Sequence, residues 1–199
     1  MILPLNLPDL KAIREQLKPK PLPKDEFAPK NWDEFIGQGK IKTILKNAIE
    51  SAKKRKVKLD HVLLSGQPGT GKTTLARLIA ETLGVEIAYT TASALSNLKE
   101  LMDLIGRIKK YERPLIFIDE IHRLKDKIAE LLYTPMETKG YVFTNSLSSI
   151  MSPEFTLIGA TTEPYKLKEP LFSKFQIKIF LEPYDLEEIV KIVGQAARK

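Results

Sequence analysis

The chain has 199 residues, enough for one α/β domain with a sizeable core. It has no cysteine, which excludes disulfides and thiolate metal sites and fits a reducing compartment. The formal net charge of +7 favours acidic partners, nucleic acid foremost, but with 32 basic against 25 acidic residues much of it belongs to solvated helix faces.

Residues 1–10 show neither a basic flank nor a small-residue cleavage site, and no apolar run reaches the roughly 20 residues that span a bilayer. The expectation is a cytoplasmic protein with no membrane partner. Residues 9–17 can form one short helix, which Pro19, Pro21 and Pro23 stop, so residues 1–28 read as a proline-rich arm and linker. Trp32, the only tryptophan, is expected to pack this linker onto the core. Ile41, Ile44, Leu45, Ala48 and Ile49 have helical spacing over 41–52. The run Lys53-Lys54-Arg55-Lys56, with Lys58, falls at the end of that helix. It reads as a helix-terminal turn favoured by the macrodipole at least as well as a phosphate-tracking patch.

A strand at 61–65 follows, then helix at 73–83, strand at 86–90, helix at 98–109, and an apolar strand at 115–118. A helix over 126–136 comes next, and residues 141–143 can start a hairpin. Strands at 155–161 and 177–181 and a helix over 185–197, N-capped by Asp185, complete the pattern. Strands that alternate with helices and are apolar on both faces describe a buried parallel sheet covered on each side. Ligands of such sheets sit at the carboxyl ends of the strands.

Gly66-Gln67-Pro68-Gly69-Thr70-Gly71-Lys72-Thr73 lies between a strand and a helix and fits the P-loop pattern. Its glycines let successive N–H groups turn toward one anion, and the following helix points its positive end there. Lys72 can reach the β- and γ-phosphates of ATP, Thr73 suits Mg²⁺, and Thr74 can add a contact toward the α-phosphate. Leu115-Ile116-Phe117-Ile118-Asp119-Glu120 delivers two carboxylates to the same edge. Asp119 is expected to hold Mg²⁺ through its water shell, and Glu120 to orient the attacking water. A strand ending in acids is weak evidence alone; the upstream P-loop gives it meaning. Gly159-Ala160-Thr161-Thr162 ends another strand and offers a hydroxyl near the γ-phosphate, Thr162 before Thr161. His122 is not assigned a catalytic part, because this chemistry needs positioning and charge rather than an imidazole base. His61 is read as structural.

The segment Pro29-Lys30-Asn31-Trp32-Asp33-Glu34-Phe35-Ile36-Gly37-Gln38 resembles the opening of the RuvB family, the bacterial Holliday-junction branch-migration motors of the AAA+ class. Phe117-Ile118-Asp119-Glu120-Ile121-His122-Arg123-Leu124 and the 155–162 strand continue the resemblance, over roughly 27–198. It implies an α/β P-loop NTPase fold with a parallel five-stranded sheet, order 5-1-4-3-2, sandwiched by helices. It further implies an ATPase working as a hexameric ring with ATP at subunit interfaces. Ile36 and Gly37 would then lie beside the adenine with Tyr184, and Pro68, Gly69, Thr70, Gly71, Lys72, Thr73 and Thr74 would hold the nucleotide. On this reading 29–184 is the core, and 185–199 the first helix of a lid that is truncated or absent.

Three departures accompany the resemblance. Ala28 stands where the family has arginine, and residues 138–154 are shorter than the family's partner-docking hairpin. In Leu171-Phe172-Ser173-Lys174-Phe175 a lysine replaces the interfacial arginine finger, leaving Lys174 as the catalytic cation of that region. The family's lid and winged-helix DNA-binding domain would follow Lys199, so DNA would be reached through a partner or a further domain. Two functions fit: an ATPase driving DNA recombination or remodelling within a homo-oligomeric ring, or a low-turnover, ATP-gated assembly or adaptor module acting with other AAA+ subunits. A small-molecule kinase fits less well, because the Asp119-Glu120 pair suits water activation.

Overall fold

A computed structural model describes residues 22, 26–138, 140–144 and 149–198. The short helix expected at 9–17 and the prolines after it lie outside the described residues. Helix α1 (Gly39–Arg55) leads to β1 (Val62–Gly66), α2 (Lys72–Leu83), β2 (Ile87–Thr91), α3 (Leu98–Ile108) and β3 (Leu115–Asp119). Helix α4 (Asp126–Glu137), the hairpin β4 (Val142–Thr144) and β5 (Ser149–Met151), and β6 (Thr156–Thr161) follow. A short α5 (Glu169–Phe172), β7 (Ile177–Leu181) and α6 (Leu186–Ala196) complete the chain. Most boundaries fall within a residue or two of the sequence reading; α1 runs longer at both ends.

The main sheet has the order β2-β3-β6-β1-β7, and every pairing in it is parallel. These labels count the hairpin strands, which pair only with each other. Numbered by the main sheet's own strands, the order from the β7 edge reads 5-1-4-3-2. Alternation along each strand divides the core in two. Val62, Leu64, Leu115, Phe117, Ile158 and Ala160 point to the face covered by α1 and α2. Leu63, Ile116, Ile118 and Leu157 point to the face covered by α3 and α4. Each fully buried Leu or Ile contributes about 1.5–3 kcal/mol of hydrophobic stabilisation. The central strands are thus largely apolar because both faces are covered, and the buried Ser65 in β1 donates its hydroxyl to Ile179 O.

Polar contacts fix the periphery. Trp32 Nε1 donates to Thr82 Oγ1 at 2.7 Å, fastening the segment before α1 to the end of α2. Lys53 Nζ donates to Thr82 O at 2.8 Å and Lys54 pairs with Glu50 at 2.7 Å, so part of the basic run is engaged within the chain. His61 is buried, with Nε2 2.8 Å from Met136 O and Nδ1 accepting from Leu157 N at 2.8 Å. Burial pushes its pKa down to about 4, which suits a structural ring. Asp185 caps α6 by accepting from Glu188 N, and Glu188 returns a carboxylate to Asp185 N, forming a capping box.

Candidate active site

The P-loop leaves β1 at Gly66 and enters α2 at Lys72. Gly71 precedes the helix at φ +93, and a Cβ there would stand 2.8 Å from two carbons of the Phe35 ring. Only glycine satisfies both the left-handed backbone and that approach. Gly71→Ala is expected to lower stability by about 1–3 kcal/mol and to displace Phe35 from the cleft wall. Thermal unfolding with and without nucleotide checks both effects.

Lys72 is buried, and its Nζ donates to Gly66 O and Gln67 O, each at 2.8 Å. Burial lowers its pKa, opposed by the nearby carboxylates of Glu120 and Asp119. Burial raises the Asp119 pKa, against the Glu120 N–H and the Lys72 charge. In the sheet β6 lies between β1 and β3, all parallel, so the P-loop after β1 and the two acids at the end of β3 open at the same carboxyl edge. Thr73 and Thr74 lie half-buried in the first turn of α2. Thr73 and Asp119 each offer oxygen donors, the chemistry that magnesium takes while keeping most of its waters.

Glu120 adopts φ 50, ψ 45, a left-handed conformation that turns the chain sharply after β3. Thr162, just past β6, donates to Glu120 Oε2 at 3.1 Å. Thr161 is fully buried, and its Oγ1 lies 2.8 Å from His122 Nδ1 and accepts from Glu163 N at 3.0 Å. Of the two threonines, Thr162 is therefore the one beside the carboxylate. Gly159 admits this arrangement, since a Cβ there would meet Ile121 Cδ1 at 2.9 Å and Phe175 Cζ at 3.0 Å.

A cleft of about 520 Å³ adjoins the P-loop. Pro68, Gly69, Thr70, Gly71 and Thr74 line it together with Ile36 and Tyr184. Gly37 is not a lining residue; it is tucked against Tyr184 and Glu188, where a Cβ would stand 2.5 Å from Glu188 Oε1. Its lack of a side chain lets Tyr184 close in. The Tyr184 hydroxyl donates to Thr70 O at 3.3 Å, and burial raises its pKa to about 12, so it is a neutral donor. Sequence reasoning missed the wall made by Phe35, Ile189, Ile192 and Ala196. The apolar stripe of α6 was the available signal, and it read equally well as core. Lys174 is not drawn into this cleft; its Nζ pairs with Glu137 Oε1 at 2.5 Å and lies 5.8 Å from the Tyr133 ring centroid.

A family model described as the Holliday junction DNA helicase RuvB P-loop domain matches residues 27–181. The Holliday junction branch migration complex subunit RuvB of Prochlorococcus marinus (strain NATL2A) is 42% identical over 188 residues, covering 90% of this chain and 52% of that protein. The corresponding subunit of Wolinella succinogenes is 40% identical over 177 residues, covering 86% and 52%. The solved Thermotoga maritima RuvB Holliday junction branch migration motor has a TM-score of 0.75 at 40% identity, covering 87% of this chain and 55% of that one. The chain spans about half the length of the curated relatives it matches.

Proposed function

Because the chain belongs to the family of RuvB P-loop domains, we propose that it binds ATP with Mg²⁺ and hydrolyses it as the ATPase core of an oligomeric, DNA-remodelling assembly. The observation that carries this reading is that the P-loop after β1, the Asp119-Glu120 pair after β3 and Thr162 after β6 open at one carboxyl edge of the parallel sheet, where Thr162 donates to Glu120 Oε2. The base would lie in the cleft between Ile36 and Tyr184, with the phosphates along residues 68–74. Lys72 would exchange its two carbonyl acceptors for β- and γ-phosphate oxygens. Thr73 and Asp119 would hold Mg²⁺, which supplies neutralisation of charge on the β- and γ-phosphates. Glu120 would orient the attacking water, and Thr162 would read the γ-phosphate. Residues 29–184 form the nucleotide-binding core in this proposal, residues 1–28 an arm, and residues 185–199 the first helix of a lid. A homo-oligomeric ring places Lys174 of one subunit at the nucleotide of the next. DNA contact falls to a partner or a further domain. No helix among the described residues is long and apolar enough to cross a membrane, and a cytoplasmic setting suits work on DNA.

Lys72→Ala is expected to abolish phosphate release and to weaken ATP binding at least tenfold, through loss of a buried, charge-assisted contact. Phosphate release and equilibrium binding of a fluorescent ATP analogue check it. Turnover unchanged by this substitution would refute the assignment. A second reading, an ATP-gated assembly module with little turnover, is favoured by one observation: a lysine, held by Glu137, stands in the segment that supplies an arginine finger by resemblance. It predicts tight retention of unhydrolysed ATP and nucleotide-dependent oligomers, both visible by native mass spectrometry.

A further inference from the structure

His122 is 97% shielded, and it touches both halves of the catalytic edge. Its Nδ1 lies 2.8 Å from Thr161 Oγ1 and 3.2 Å from Glu120 Oε2. Its Nε2 is sealed from solvent and faces Glu163 Oε2 at 3.0 Å without aligning into a hydrogen bond. Glu163 in turn accepts from the Tyr165 hydroxyl at 2.9 Å and pairs with Lys166 at 2.5 Å, both on the exposed turn after β6. One imidazole therefore joins the Glu120 carboxylate, the end of β6 and the surface turn at 164–166.

We propose that His122 is a positioning residue for Glu120, holding the water-orienting carboxylate when Thr162 turns to the γ-phosphate. The case rests on counting protons. The Thr162 hydroxyl has one hydrogen, and here it donates to Glu120 Oε2. That hydrogen cannot serve Glu120 and a phosphate oxygen together. When it is given to phosphate, Oε2 retains His122 Nδ1 at 3.2 Å, and the single Nδ1 hydrogen, shared there with Thr161 Oγ1 at 2.8 Å, is the donor left to hold it. Exchange of a single hydroxyl hydrogen thus releases Glu120 toward water without freeing it, and reading the phosphate becomes coupled to arming the site. The geometry further assigns the two ring nitrogens different tasks. Nδ1 faces Glu120 and Thr161, whereas Nε2 faces Glu163, which is itself held by the surface turn.

This inference rests on the ATPase reading, and its test separates the two. Phosphate release and ATP affinity are measured for the whole chain and for His122→Ala, His122→Asn and His122→Gln, alone and combined with Glu120→Gln. Asparagine places a polar atom near the Nδ1 position, and glutamine places one near Nε2. The expected result is a roughly 10²-fold fall in kcat for His122→Ala, the scale set by misplacing a catalytic group by about 1 Å. ATP affinity is expected to hold, because His122 does not line the cleft. Asparagine should restore more turnover than glutamine. His122→Ala should add nothing once Glu120 is glutamine, because the two act as a unit. Equal losses with and without the Glu120 carboxylate would overturn the proposal, as would a parallel fall in ATP affinity or better rescue by glutamine. A wild-type chain that binds ATP yet never releases phosphate would sink the ATPase reading and this inference with it. Wild-type turnover left intact by His122→Ala would sink the inference alone.

Discussion

Glu120→Gln is expected to lower phosphate release by roughly 10²–10⁴-fold, the range contributed by a positioned acid–base group, while ATP affinity stays within about twofold. The reason lies in what the substitution preserves. Glutamine keeps the side chain's length and its acceptor oxygen, so Thr162 still finds a partner at Oε2's place. The left-handed backbone at φ 50 is borne equally by either residue. What is lost is a negative charge next to the attacking water, and that charge matters only as the nucleophile forms. An interaction strengthened only in the transition state appears in kcat and leaves binding alone. The measurement is single-turnover phosphate release beside equilibrium ATP binding. Equal turnover in the two proteins would remove Glu120 from the mechanism.

Glu120 also shows why parts of this site were readable without coordinates. The P-loop holds its backbone donors, its lysine and its Mg²⁺-binding hydroxyl in one contiguous stretch, so composition and spacing alone disclose it. Asp119-Glu120 needed only a strand that delivers them to the same sheet edge. The sheet order followed from the family likeness, and the two-sided burial from strands that are apolar on both faces, with Leu63 and Leu64 pointing to opposite sides. The cleft wall was hidden for a physical reason. Ile189, Ile192 and Ala196 come from the far end of the chain, on a helix whose apolar stripe would look the same if it were packed as core. Gly37 was read as a neighbour of the base from the family likeness; that its missing side chain also makes room for Tyr184 and Glu188 had no sequence signal. His122 stood beside the acid pair in the sequence, but nothing there showed what its ring would touch. Its significance arises where the turn after β3 meets the end of β6, a juxtaposition fixed by packing Ile121 onto Gly159.

Lys174→Arg is expected to raise the rate of phosphate release by at least tenfold in assembled protein, and to leave the isolated subunit unchanged. In related NTPases a complete arginine finger is worth roughly 10³–10⁵ in rate. A lysine retains the charge but not the planar fork that spans two phosphate oxygens, so part of that factor is open to recovery. The Lys174–Glu137 pair opposes the gain. Its carboxylate is largely exposed, and such pairs are worth about 0–1 kcal/mol, far less than the finger itself. An arginine can grip Glu137 with two N–H groups where lysine offers a point charge, so the double substitution Lys174→Arg with Glu137→Gln should exceed the single one. Because the proposed contact is made across a subunit boundary, the gain must grow with protein concentration and vanish on dilution. Phosphate release measured across a dilution series, alongside native mass spectrometry, follows both quantities. A concentration-dependent gain would mark this interface as an ATPase joint weakened by one residue. An unchanged rate in fully assembled oligomers would instead remove Lys174 from the catalytic set and leave the ATP-gated assembly module as the better account of this chain.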